Sequence, residues 1–182
     1  MRNNASNNHR RGSRDFSHLR HHAGFNLIEL MVTTVILVIV VTFAIPGFQN
    51  LIESNRVTSQ TNNLLSAFKT ARSEAVNRGQ SVTLTAVSGD FTQGWCIYQG
   101  AAGSNCASVT PIRQFEAADS VSIVSVSGDT SFEFDGQGQM VVPNAAVNIN
   151  VEPADCDGEA DARRQINIGA AGRASSSRGD CD

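Results

Sequence analysis

Residues 24–46, "GFNLIELMVTTVILVIVVTFAIP", decide how the rest of this 182-residue chain is read. Between positions 25 and 45 the only ionisable side chain is Glu29. A helix over those positions rises about 30 Å, the depth of one bilayer core. Pro46 and Gly47 follow, where a helix kinks or breaks. Glu29 is the oddity, because a carboxylate at membrane depth costs on the order of 2.5–3.5 kcal/mol and needs a partner. No Lys or Arg lies between Arg20 and Arg56. A cut between Gly24 and Phe25 would supply the missing cation. The new α-amine of Phe25 would sit at the same end of the helix, paired within one chain or between stacked chains.

The segment in front of this stretch reads as a leader. Residues 1–24 carry Arg2, Arg10, Arg11, Arg14 and Arg20 against Asp15, a balance of +4. The chain as a whole is −3, so residues 25–182 carry −3 − 4 = −7. Basic residues before an apolar span stay on the cytoplasmic side, which puts the bulk of the chain across the inner membrane. A secretory signal peptide would show a shorter apolar core and a small-x-small site behind it. The sequence "FAIPGFQ" at 43–49 is a poor one, and a plain signal anchor leaves Glu29 unexplained. All four histidines (His9, His18, His21, His22) lie in the leader. A processed chain therefore has no imidazole for a Ser-His triad, a histidine general base or a histidine zinc site.

Behind the stretch, residues 47–79 read as an amphipathic continuation of the helix. Leu51, Val57, Leu64, Leu65, Phe68, Ala71, Ala75 and Val76 are its apolar positions, one-sided from Val57 onward, with Gly79 as the stop. From residue 80 the period changes. "SVTLTAV" at 81–87, "WCIYQ" at 95–99, "PIRQF", "VSIVSV", "SFEF", "QMVV", "VNINV" and "RQINI" are short β-type runs punctuated by Gly, Asp, Asn or Pro. The expected fold class is α+β, a long N-terminal helix packed on an antiparallel sheet head at 80–182.

The anchor resembles the class III signal of type IV pilins and type II secretion pseudopilins: Gly24, an aromatic at 25, Leu-Ile-Glu at 27–29 and the apolar run stand in register. That resemblance implies cleavage after Gly24 by a prepilin peptidase, N-methylation of Phe25, and Glu29 as the assembly carboxylate that meets a neighbour's amine. It makes Pro46 the helix-bending proline. Asn26 stands where threonine is commoner. In the head, "TLTAVSGDFTQGWCIYQ", "IRQFEA", "SFEFDGQGQM" and "RRQINIGAAGR" resemble the GspH/FimT branch, most clearly in the 134–138 turn and the 166–173 strand and turn. The resemblance implies partners: the peptidase, other minor and major pilins or pseudopilins, and an inner-membrane assembly platform. It implies a minor pilin that helps initiate or cap a pilus, or else a minor pseudopilin of type II secretion.

Other features divide between a specific and a plain reading. Cys96, Cys106, Cys156 and Cys181 all follow the anchor, and an even count in an exported head points to disulfides. Of three possible pairings, Cys96–Cys106 with Cys156–Cys181 closes local loops. Spacings of 10, 50 and 25 do not suit a four-thiolate metal site, and no metal or cofactor is expected. Some FimT-like proteins bind DNA through C-terminal arginines, here Arg163, Arg164, Arg173 and Arg178. Residues 152–182 hold seven acids against those four arginines, and Ser175 stands where the motif of that branch has its second arginine. Phosphate binding needs local positive charge, so nucleic acid is not the expected partner, and a pilus-associated DNA receptor for natural transformation stands as the second alternative. "DCDGEAD" at 155–161 resembles the start of a calcium loop, but its glycine is misplaced and Ile166 replaces the bidentate Glu. "RGD" at 178–180 and "NAS" at 4–6 are short enough for chance. Phe91, Trp95 and Tyr98 could form a ligand shelf, although aromatics in a small β head are usually core. No nucleophile elbow, phosphate loop or paired-carboxylate motif occurs, so an enzyme is not expected.

Overall fold

The computed structural model describes residues 24, 26–116, 120–156 and 161–181. Residues 1–23 of the expected leader and Phe25 lie outside them. The chain divides into two units, residues 1–42 and 43–182. Helix α1 spans Leu27–Arg78 and runs through Pro46 and Gly47 without interruption, so the break that proline allows does not occur. Its first part, Leu27–Ile45, has no buried side chain and is long and apolar enough to cross a membrane. The hydroxyls of Thr33, Thr34 and Thr42 donate to the carbonyls of Leu30, Met31 and Val38 at 2.8–3.0 Å. These in-helix bonds satisfy groups that lipid could not.

In the second unit one stripe of α1 is buried: Val57, Thr61, Leu64, Phe68, Ala71 and Ala75. Their spacing alternates between four and three, the period of one helix face. Thr61 fits this stripe because its hydroxyl donates to the Val57 carbonyl at 2.7 Å. Leu51 and Val76, expected among the apolar positions, are instead exposed. The helix ends in a Schellman arrangement, with the Gly79 amide on the Val76 carbonyl and the Gln80 amide on the Ala75 carbonyl, both at 3.3 Å.

Among the described residues nine strands follow: β1 (Val82–Val87), β2 (Asp90–Gln99), β3 (Arg113–Phe115), β4 (Val121–Ser125), β5 (Ser131–Phe134), β6 (Met140–Val142), β7 (Val147–Pro153), β8 (Arg163–Ile168) and β9 (Ala174–Gly179). They make two antiparallel sheets where one was expected, in the orders β3-β2-β1-β5-β6 and β4-β7-β8-β9. β9, "ASSSRG", has no apolar alternation and was not foreseen as a strand. It forms because β8 gives it a full ladder from Arg163↔Gly179 to Ile168↔Ala174.

The core gathers the α1 stripe with Leu84, Trp95, Ile97, Phe132, Phe134, Met140, Ile149, Ile166 and Ile168. Phe68 sits edge-on to Phe132 at 5.0 Å between ring centroids and to Phe134 at 6.4 Å. Phe91, Trp95 and Tyr98 are all buried, so the aromatic shelf is core. Trp95 stacks on Phe115 at 5.3 Å. The opposite face of β1 and β2 carries Thr83, Thr85, Cys96 and Tyr98, cross-strand neighbours in the pairs Thr83↔Tyr98 and Thr85↔Cys96. The segment at 100–106 covers that face, tied down by the disulfide Cys96–Cys106. Buried Glu133 completes it, accepting from the Ser81 hydroxyl at 2.7 Å and the Ala102 amide at 2.9 Å. A second disulfide joins Cys156 to Cys181.

Candidate functional site

Two places carry chemistry, and they belong to different units. The first is the start of α1. The Asn26 carbonyl accepts from the Leu30 amide at 3.1 Å and its Oδ1 from the Ile28 amide at 3.4 Å. Asn26 is therefore the N-cap, a position asparagine fills as well as any residue. That gives a local reason for asparagine at 26. Glu29 is then the third helical residue, in the first turn, where free amide groups make the helix end partially positive. Among the described residues no Lys or Arg pairs with Glu29.

The second place lies where the end of α1 meets two turns of the head. The turn at 135–139 closes with the Gly138 amide on the Asp135 carbonyl at 2.8 Å and the Asp135 amide on the Gln139 carbonyl at 3.0 Å. The turn at 169–173 repeats the pattern, with the Gly172 amide on the Gly169 carbonyl at 2.8 Å and the Gly169 amide on the Arg173 carbonyl at 3.0 Å. In each, the glycine sits at positive φ, +79° at Gly138 and +72° at Gly172. A side chain at Gly172 would collide with the Gly138 carbonyl oxygen and lie 3.0 Å from Arg72 Nε. The Met140 amide donates to the Ala170 carbonyl at 2.9 Å, joining one turn to the other. Arg72 Nε donates to the Gly138 carbonyl at 2.8 Å and locks both turns to the helix.

Beside this junction is a groove of about 380 Å³ lined by Lys69, Arg72, Ser73, Val76, Asn77, Gly172, Arg173 and Ala174. Three of its side chains are cations and none is an acid. Lys69 and Arg173 are exposed and Arg72 is half-buried. The nearby carboxylate on the helix, Glu74, is engaged by Arg78 Nε at 2.7 Å.

The four C-terminal arginines are not brought together. Arg163, Arg164 and Arg178 stand at one end of the β8–β9 ladder, where Arg164 is opposite Arg178. Arg173 stands at the other end, about five residues away at roughly 3.3 Å each. The first end is also the acidic one. There Asp180 Oδ1 accepts from the Asp161 amide at 2.9 Å, and Arg164 donates to the Asp161 carbonyl at 2.8 Å. Part of the calcium-like loop, 157–160, lies outside the described residues. Among the described residues no group of His, Cys, Asp and Glu could hold a metal ion. Lys69 and Arg72 were missed as site residues because they read as the polar side of a helix, far in sequence from Arg173. Only their nearness in space to an acid-free turn distinguishes them.

The model of the family described as type II transport protein GspH matches residues 60–172. No curated protein sequence matches the chain. Among solved structures, the type IV minor pilin FimU of Pseudomonas aeruginosa, strain PAO1, is similar with TM-score 0.58 and 24% identity, over 68% of this chain and 89% of that one. A second crystal form of FimU gives TM-score 0.56 and 24% identity, over 66% of this chain and 91% of that one. The minor pseudopilin EpsH from the type 2 secretion system of Vibrio cholerae gives TM-score 0.49 and 10% identity, over 68% of this chain and 97% of that one. The FimU likeness carries the fold, an α+β head behind a long helix. The family match covers the lower half of α1 and the head as far as Gly172.

Proposed function

The chain belongs to the GspH family, and from that premise we propose that it is a minor type IV pilin that helps to initiate or cap a pilus. Membership makes it a membrane-anchored structural subunit of the pilin and pseudopilin kind rather than an enzyme. The observation behind the assembly reading is Glu29, a carboxylate without a Lys or Arg partner among the described residues, in the first turn of a lipid-length apolar helix. In this reading prepilin peptidase cuts after Gly24 and Phe25 is methylated. The subunit waits in the inner membrane with its leader on the cytoplasmic side and its head in the periplasm. Docking against a neighbour's terminal amine on the assembly platform neutralises Glu29. Because a buried unpaired charge is costly, that neutralisation favours ordered assembly with other pilins over free diffusion in lipid. Pro46 gives the helix a place to bend.

A second reading has its own observation, since the matching family is described as a type II transport protein. The same processing and the same helix would then serve a minor pseudopilin. One experiment separates them. An in-frame deletion is compared with strains complemented by the intact gene and by Glu29→Gln, and sheared pili and secreted exoproteins are measured together. Few or no pili with normal secretion, rescued by the intact gene and not by Glu29→Gln, is the expected result. Normal pili with exoproteins trapped in the periplasm would overturn the pilus reading in favour of secretion.

A further inference from the structure

We propose that the groove between α1 and the 169–173 turn is a docking site for an acidic peptide segment, Asp or Glu side chains presented by a neighbouring subunit. The geometry of Arg72 is the starting point. Its Nε is engaged by the Gly138 carbonyl at 2.8 Å, and its stem lies against Gly172. The guanidinium plane is therefore held in one orientation. Its two terminal nitrogens have no partner among the described residues. A fixed fork with two free donors matches the two oxygens of a carboxylate. Lys69 and Arg173 stand on the groove's exposed sides and add positive charge, and Ser73 and Asn77 add hydroxyl and amide groups. Glu74 does not offset them, because Arg78 holds it.

Charge and size favour a peptide carboxylate over a nucleic acid. The groove is short, about 380 Å³, room for one or two side chains. A nucleic acid strand needs a continuous basic track. The other arginines that could extend one stand at the far, acidic end of the β8–β9 ladder. Residues 25–182 carry −7 overall, which repels a polyanion as it approaches. A single carboxylate is screened from distant charge beyond roughly 8–10 Å and answers to the three local cations. The inference rests on the assembly reading only for the source of the carboxylate. Peptide binding with normal pili and normal secretion in the deletion strain would retire that reading and leave the groove standing.

The test uses the full processed chain in an uncharged detergent. Fluorescence anisotropy is read at about 0.1–0.15 M salt, where distant charge is screened, with a labelled Gly-Ser peptide carrying two Glu and with a single-stranded trinucleotide of equal formal charge. The peptide is expected to bind more tightly than the oligonucleotide. Lys69→Gln with Arg173→Gln, both exposed positions, is expected to weaken peptide binding by about tenfold or more with no change in melting temperature. Arg72→Lys, which keeps the charge and loses the fork, is expected to weaken it as well. Arg164→Gln with Arg178→Gln serves as the control at the other end of the ladder and is expected to change nothing. No peptide binding, tighter binding of the oligonucleotide, or an equal loss in the control pair would each overturn the proposal.

Discussion

Gly172 is the residue on which the head is most sensitive to a single atom. It is buried at positive φ, and a Cβ there meets backbone, the Gly138 carbonyl, not the yielding tip of a side chain. Gly89 also has positive φ, +81°, but opens onto empty space. The pair separates backbone strain from collision. Gly89→Ala carries only strain, about 1 kcal/mol, whereas Gly172→Ala adds a collision in a junction that cannot give way and should cost about 2 kcal/mol or more beyond it. Chemical denaturation of both variants measures the difference. Equal losses would mean that the turn at 169–173 shifts freely and that Arg72 does not clamp it.

At the scale of the element, α1 changes environment along its length while its helical geometry stays the same. Over Leu27–Ile45 every side chain is exposed and all but Glu29, Thr33, Thr34 and Thr42 are apolar, the demand of a lipid solvent. From Val57 only one face is apolar, because that face alone meets the sheets. Phe68 lies at the centre of this contact, edge-on to two phenylalanines of β5. Val76, eight residues on, is 49% exposed although the sequence ranks it with the same stripe. Phe68→Ala is expected to destabilise the head by about 3–5 kcal/mol and Val76→Ala by no more than about 0.5 kcal/mol. A large loss at Val76 would show that the exposed flank of the groove contributes to folding.

For the whole molecule the two disulfides make unequal contributions, and two effects compete. Loop entropy favours Cys156–Cys181, whose sequence separation of 25 exceeds the 10 of Cys96–Cys106. On the chain-entropy model that difference is worth about 0.8 kcal/mol. Burial favours the shorter loop, because Cys96 is fully buried and the loop covers Thr83, Thr85 and Glu133. Uncovering one buried polar group costs about 1–3 kcal/mol, which outweighs the entropy difference. Replacing Cys96 and Cys106 by Ala should therefore lower the melting temperature further than replacing Cys156 and Cys181. The reverse order in calorimetry would mean that the 100–106 segment holds its place without the crosslink.

The apolar run with Glu29, the change of period after Gly79 and eight of the nine strands are written locally in the chain, because lipid-facing helices, helix stripes and half-buried strands each impose their own spacing. Those signals determined the anchor, the α+β class and the family resemblance. Spacing is silent wherever a partner from elsewhere supplies the reason. β9 is a strand because β8 pairs with it, not because of its serines. The sheet divides in two although every strand looks alike in one dimension. The four arginines near the C-terminus seem one cluster in sequence, yet a β-ladder holds Arg173 apart from the other three and delivers it to Lys69 and Arg72. Hydrophobic periodicity is a property of neighbours along the chain, whereas the charge around a groove is a sum over neighbours in space, and only the folded arrangement performs that sum.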